Sequence, residues 1–327
     1  MQVISPVSSP SYALSVCTDV SAWDALVSES PQGHVFSKSA YLQSLGAPHT
    51  CYVVTTLQGE ILAGVAVMEE GHSMARAPFA FTPHQGILFA KCVSNLAHQK
   101  RLTTEFRLTE FLIQALIGKY QNFSMALSPF FKDLRPFLWH NYGQVGQPQF
   151  EVRQRYTGHV PLTDFELTRY LGAVRTVRRQ EFKKAQVRIE QSNDLHLFLD
   201  LYAKTFQRQG LSVEPQARTL VKKICSNAIA NGYGYLSSAL LDGRAASMVF
   251  LMADERCAYY LFAANDPDMR DAHASSRLLI ENMAGFAAQG LERFDFVGVN
   301  SPQRGDFKLS FNAELVPYQE VHLLAHG

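Results

Sequence analysis

The chain has 327 residues, 47% of them hydrophobic and 18% charged, with 30 Lys and Arg against 29 Asp and Glu. A chain of that length buries a large core and fits two domains better than one. So near-neutral a balance excludes a global attraction to nucleic acid or to an anionic membrane surface, so any grip on a polyanion has to be local.

The five cysteines (Cys17, Cys51, Cys92, Cys225, Cys257) are scattered, odd in number and without a Cys-x-x-Cys pair. That spacing indicates neither a disulfide framework nor a zinc site, and it suits a reducing compartment. The opening MQVISPVSSPSYALSV lacks a basic start and an unbroken apolar core, and no window approaches the roughly 18 apolar residues of a membrane span. The expected location is cytoplasmic.

In chain order, a strand at 12–18 leads into a helix opened by an Asp or Ser cap, with Trp23, Leu26 and Val27 on its apolar face. A second helix is expected over 33–46, with Tyr41, Leu42 and Leu45 on one stripe and Gly46 as its stop. Between Cys51 and Met68 two β-branched runs flank Gly59, the signature of a hairpin. An extended segment carries Phe79, Phe81, Pro83, His84, Gln85 and Gly86. A long helix over 95–120 and a strand at 123–127 follow, and then an aromatic turn with Asp133, Arg135, Pro136, Phe137, Trp139 and Tyr142.

The second half repeats this plan. An amphipathic helix carries Phe198, Leu201, Tyr202 and Phe206, a helix spans 217–230, and a second hairpin over 236–252 is centred on Gly243. Two copies of one unit explain the order of elements, with the join between Val152 and Leu171 and domains at 1–155 and 156–327. Parallel crossovers within each copy make both halves α/β.

The end of the chain concentrates the chemistry. A strand from Tyr259 is followed by a polar turn at 265–273, a helix over 275–288 and a strand over 293–299. A turn-rich loop, Asn300 to Asp306, then delivers Phe307 and Lys308 side by side ahead of a last strand over 314–324. In such a crossover the turn at the strand's carboxyl end faces a ligand. Between Arg169 and Arg188, Arg175, Arg178, Arg179, Lys183 and Lys184 form a basic helix face, with Val174, Val177, Phe182 and Ala185 on a buried one.

The stretch around Trp23 to Gly46, RTVRRQEFKKAQV at 175–187, TFQRQG at 205–210 and FKLSF at 307–311 together resemble the FemAB / BioF2-like tandem acyltransferase-fold proteins, over nearly the whole chain. The resemblance implies two tandem GNAT-like domains, each a mixed twisted sheet flanked by helices. It implies transfer of an acyl or aminoacyl group to an amine, the C-terminal copy holding the donor. In relatives the Phe-Lys step lies at the transfer centre and the Lys stabilises charge there; Phe307 and Lys308 match it.

The sequence departs from the resemblance in two ways. The turn at 270–276, RDAHASS, lacks the glycines with which GNAT proteins cradle the pyrophosphate of CoA at a helix N-terminus. No long heptad run matches the coiled-coil arm of some peptidoglycan-bridge enzymes, which weighs against an aminoacyl-tRNA donor.

Lys308, Phe307 and His273 are therefore the candidate catalytic residues, His273 as a phosphate donor or a proton acceptor. Arg270, Ser275, Ser276, Asn265, Arg178 and Arg179 are candidates for holding the donor. His84, Gln85, Tyr260, Tyr318 and Arg208 are candidates for the acceptor cleft, where the aromatic turn at 133–142 would add lining. The commoner roles stand beside these: a solvated Lys, a capping His, solvated arginines, core aromatics. The expected donor is acyl-CoA, without a metal, and the acceptor an amine on a small molecule or cell-envelope precursor. The alternatives are an aminoacyl-tRNA-dependent transferase acting on a peptidoglycan precursor and a catalytically silent binding module.

Overall fold

The computed structural model describes residues 12–71, 74–207 and 212–323. In the first half the chain forms β1 (Tyr12–Val16), α1 (Val20–Glu29), α2 (Ser39–Ser44), β2 (His49–Thr56), β3 (Ile61–Met68), β4 (Met74–Ala75), β5 (Leu88–Phe89), α3 (Lys91–Ser94), α4 (His98–Ile117), β6 (Asn122–Ala126), α5 (Arg135–Leu138) and β7 (Glu151–Pro161). The second half contributes α6 (Leu167–Ala173), α7 (Thr176–Lys184), β8 (Arg188–Gln191), α8 (Leu195–Gln207), α9 (Pro215–Ala230), β9 (Gly234–Leu241), β10 (Arg244–Ala253), β11 (Cys257–Asn265), α10 (Ala274–Ala288), β12 (Arg293–Asp295), α11 (Pro302–Leu309) and β13 (Glu314–Leu323).

These elements separate into two compact units, one of residues 1–39, 47–154 and 318–327, the other of 40–46 and 155–317. A single cut at 155 would place the segments 40–46 and 318–327 in the opposite halves.

In the N-terminal unit β1, β2, β3 and β5 form an antiparallel sheet, with Val53 opposite Gly64 across the β2–β3 hairpin and Gly59 at φ +88° in its turn. Left-handed backbone of that kind costs glycine nothing and a side chain a good deal. β6 pairs parallel with β4 and antiparallel with β13, Ala126 lying opposite Glu320. Leu108, Leu112, Ile113 and Leu116, at helical spacing on α4, pack with Val65, Val67, Phe123 and Phe137 in the core.

The helix expected over 33–46 is instead a 3₁₀ turn at Val35–Ser37 followed by the short α2. The backbone is diverted between them. Trp23 Nε1 donates to the Ser37 carbonyl at 2.8 Å, and Asp24 Oδ1 accepts from Ser39 N at 2.8 Å.

The C-terminal unit is built on the strand order β7-β12-β11-β10-β9-β8. All pairs are antiparallel except β11 and β12, which α10 joins by a crossover. Buried Leu278, Leu279, Met283 and Phe286 of α10 lie against Val249, Leu251, Phe294 and Phe296. The basic helix divides into α6 and α7, and α7 buries no residue fully. Val177, expected on a buried face, is 39% exposed; only the flanking Val174 and Ala185 are buried. Nine residues at mean helix polarity this high make too narrow an apolar stripe to be covered.

Two expectations near the chain's end change. The strand expected over 293–299 stops at Asp295, and the loop expected to carry Phe307 and Lys308 is the helix α11. Ser301 has extended backbone at the cap position and Pro302 takes the first helical turn, where a missing N–H costs nothing.

Candidate acyl-transfer site

β11 and β12 run side by side for only three residues, Cys257 to Tyr259 against Arg293 to Asp295. Beyond that they part. On β11 the register against β10 slips between Tyr260 and Phe262, leaving Leu261 as a bulge. A bulge bends the strand and re-aims its groups.

On the other side β12 is turned away by two successive left-handed residues, Val297 (φ +51°) and Gly298 (φ +73°). Glycine adopts this backbone freely, whereas for a β-branched valine it is strained, at about 1–3 kcal/mol. The turn is held from below. The buried Asp295 accepts from Val297 N at 2.7 Å and from the Thr157 hydroxyl; that hydroxyl accepts from Gly298 N at 3.2 Å; and His159 Nε2 lies 3.3 Å from Asp295 Oδ2.

Lys308 enters this opening from α11. Its Nζ donates to the carbonyls of Val297 and Gly298, both at 2.9 Å, and sits 5.5 Å from the centre of the Tyr260 ring. An ammonium has three N–H donors, so two carbonyls leave one. Burial pulls its pKa down to about 8, opposed by Asp295 and assisted by the nearby Arg304. At neutral pH such a group is still mostly a cation. Arg304, one turn earlier on α11, is exposed and lies 5.9 Å from the Phe206 ring.

α11 lies against the chain it follows. A Cβ on Gly305 would fall 2.5 Å from the Val299 carbonyl oxygen, so only glycine permits this approach. Phe307 packs on Phe311, with the Arg178 guanidinium 5.0 Å from its centre.

Arg178 is engaged inside the fold. It donates to Glu181 Oε2 at 2.6 Å and to Ser276 Oγ at 2.9 Å, and the Ser276 hydroxyl itself donates to Glu181. Arg178 and Ser276 therefore tie α7 to α10 rather than facing a ligand. Arg179 turns to Gly172 O and Thr176 Oγ1 near its own helix.

The remaining donor candidates gather where β11 ends and α10 begins. Thr205 on α8 binds both the N–H and the carbonyl of Asn265, and Ser275 Oγ donates to Asn265 Oδ1 at 2.5 Å. Asp266 caps the following 3₁₀ turn by accepting from Asp268 N. His273 occupies the N-cap of α10 in left-handed backbone (φ +52°) with no side-chain cap bond. Its chain thus adopts a glycine-like turn without a glycine. Arg270 is exposed beside it.

The acceptor candidates are not brought together. Tyr260 is in the opening with Lys308, whereas His84 and Gln85 are 2% and 3% exposed inside the N-terminal unit. There His84 meets the Tyr318 ring edge-on at 4.6 Å and lies 5.5 Å from His34. His84, Gln85 and Tyr318 are all buried. Of the aromatic turn, Phe137 is buried while Trp139 and Tyr142 are largely exposed. Arg208 lies outside the described residues.

Asp295, Thr157 and His159, and Arg304 as a second cation at the opening, escaped the sequence reading. Asp295 leaves one legible trace, an Asp followed closely by a glycine at a strand end, which predicts a turn but not its burial.

The family model described as Acetyltransferase (GNAT) domain matches residues 169–309. No curated protein matches the chain by sequence. Among solved structures, FemX is similar over 96% of this chain and 98% of its own, at 14% identity and a TM-score of 0.69. The tandem GNAT protein from the clavulanic acid biosynthesis pathway is similar over 97% and 99%, at 11% identity and 0.54. A C-terminal domain from Agrobacterium fabrum described as that of a lysylphosphatidylglycerol synthetase is similar over 94% and 92%, at 15% identity and 0.56.

Residues 169–309 match the GNAT domain, and the chain as a whole has the fold of FemX and of a tandem GNAT protein. The site described above lies almost wholly within the matched residues. Thr157 and His159 precede them on β7. Among the described residues there is no cluster of three metal-ligating side chains, and no helix is long and apolar enough to cross a membrane.

Proposed function

We propose that this protein forms an amide by transferring an acyl group from acyl-CoA to an amine, with the donor held by the C-terminal unit at the opening between β11 and β12. The observation that carries the reading is the Lys308 ammonium, fixed by two backbone carbonyls with one N–H left over, at the point where the two strands part. The acceptor nitrogen attacks the donor carbonyl carbon and a C–N bond forms. The carbonyl π electrons move to oxygen, where the spare Lys308 N–H meets the developing charge. A pre-aimed donor of this kind is worth on the order of 3 kcal/mol. Collapse of the tetrahedral species breaks the C–S bond, releases the thiolate, and gives the amine proton to water or to the leaving group.

Positive charge continues outward from Lys308 through Arg304. The uncapped first turn of α10, with Arg270 beside it, suits the donor's phosphates by its unpaired N–H groups and dipole. His273 is proposed to act there through its backbone, and Ser275 and Asn265 to hold the end of β11 in place.

A second reading is favoured by the same turn. Without glycines, and with Ser276 committed to Glu181, the pyrophosphate cradle is reduced, and an aminoacyl-tRNA donor with an envelope precursor as acceptor fits the likeness to FemX. Calorimetric titration with CoA and short acyl-CoA thioesters, repeated with Arg270→Ala, separates the two. Saturable binding weakened by the substitution supports acyl-CoA. Absence of any thioester binding refutes it, and binding of charged tRNA that falls steeply with salt supports the second reading.

A further inference from the structure

The hydrogen bonds under Lys308 form a continuous chain. The Lys308 ammonium donates to the carbonyl of Val297; the N–H of the same peptide, on Gly298, donates to Thr157 Oγ1; and the Thr157 hydroxyl donates to the Asp295 carboxylate. A cation and a buried anion are thus connected through one peptide and one hydroxyl. Both ends polarise the links in the same sense, and in a site removed from water such chains strengthen one another. The Gly298 carbonyl lies on the next peptide, whose Val299 N–H donates to the Tyr156 carbonyl at 3.1 Å, while Asp295 also takes the Val297 N–H at 2.7 Å.

We propose that Asp295 and Thr157 are positioning residues for Lys308, acting through the 297–298 peptide. Three observations support this. Asp295 and Thr157 are 3% and 0% exposed, so their polar groups serve internal partners. Val297 is in strained left-handed backbone, which persists only where its surroundings impose it. The peptide so oriented carries the Val297 carbonyl, one of the two that hold the ammonium. In their absence Val297 would relax toward extended backbone and β12 would continue along β11, closing the opening.

The charged groups facing this assembly come from every neighbouring element. Arg304 on α11 and Tyr260 on β11 face Lys308. His159 on β7, with Cys257 and Tyr259 on β11, faces Asp295. Burial pushes Cys257 and Tyr259 well up and keeps them neutral.

The catalytic meaning of this assignment rests on the role of Lys308 proposed above; the positioning itself does not, and its test needs no substrate. Lys308 is labelled with trace acetic anhydride across a pH series in the full chain and read by mass spectrometry, with exposed Lys183 and Lys184 as internal references. Thr157→Val, nearly isosteric, removes the hydroxyl link; Thr157→Ser restores it; Asp295→Asn removes the charge. We expect the Lys308 midpoint to fall by about half a unit or more in Thr157→Val and in Asp295→Asn, since a favourable charge interaction is lost. It should return to the wild-type value in Thr157→Ser, while the reference lysines do not move. If Asp295→Asn does not fold, the two Thr157 variants decide. An unchanged Lys308 midpoint in folded Thr157→Val overturns the proposal, as does a shift that Thr157→Ser fails to restore. Loss of turnover in Lys308→Ala is measured separately, so failure of the transfer reading and failure of the positioning reading give different results.

Discussion

Replacing Gly305 with alanine tests whether the approach of α11 to its own preceding loop places Lys308. The new Cβ would lie 2.5 Å from the Val299 carbonyl oxygen and 3.3 Å from its carbon, both backbone atoms that cannot swing aside. Bringing the closer contact to an ordinary 3.4 Å requires a separation of about 0.9 Å. Lys308, less than one turn further along the helix, holds its two carbonyls at 2.9 Å. A displacement of that size along those bonds carries them to about 3.8 Å, beyond hydrogen-bond reach. Overpacking of this kind costs about 1–3 kcal/mol. Gly285→Ala is the matched control, because that position is an exposed one in α10 with nothing within 4 Å. There alanine should be neutral or stabilising by up to about 1 kcal/mol. Urea unfolding of both variants, with turnover or Lys308 labelling on the folded proteins, gives the comparison. Equal stability of the two variants, or wild-type behaviour of Lys308 in Gly305→Ala, would refute the argument that this glycine seats the helix.

Lys308→Ala should cut turnover by about 100-fold or more with the fold retained, as expected for loss of a pre-aimed oxyanion donor; near-normal turnover in steady-state assays sinks its assignment. Because burial pulls the Lys308 pKa down to about 8 from an ordinary 10.5, the folded state disfavours the charged form. The penalty is complete below pH 8 and fades as pH rises toward 10.5, so stability should increase across that window by up to about 3 kcal/mol, less whatever solvent screens. Lys308→Met should flatten that rise in urea titrations taken at several pH values. Glu181→Ala leaves Arg178 without its carboxylate partner and Ser276 without its acceptor. A loss of about 1–3 kcal/mol is expected in thermal unfolding, since the pair is mostly shielded; an unchanged melting point would contradict the internal role given to Arg178.

Much of the frame was legible because it rests on local rules. The hairpins around Gly59 and Gly243 were readable from β-branched runs interrupted by a glycine, and both turns take the positive φ that glycine allows. α9, α10 and the long α4 follow from apolar residues at helical spacing. α11 was missed because its Ser-Pro start is a valid helix signal only where something covers the next turn, and Gly305 reads as a breaker until Val299 is seen against it.

The site divides in the same way. Phe307 and Lys308 were found by resemblance to a motif, and their chemistry then follows from residue type. The sequence by itself determined two successive α/β halves, a lysine beside a phenylalanine near the end, and a helix start without glycines, because composition and spacing along the chain decide these. Tertiary structure alone decided that His84, Gln85 and Tyr318 lie in a core and that Arg178 and Ser276 bind Glu181. It alone joined Thr157 to Asp295 and through them to Lys308, across 138 residues of chain. Such contacts depend on which strands become neighbours in a sheet, and neighbouring strands leave no mark on one another's sequence that a single chain displays.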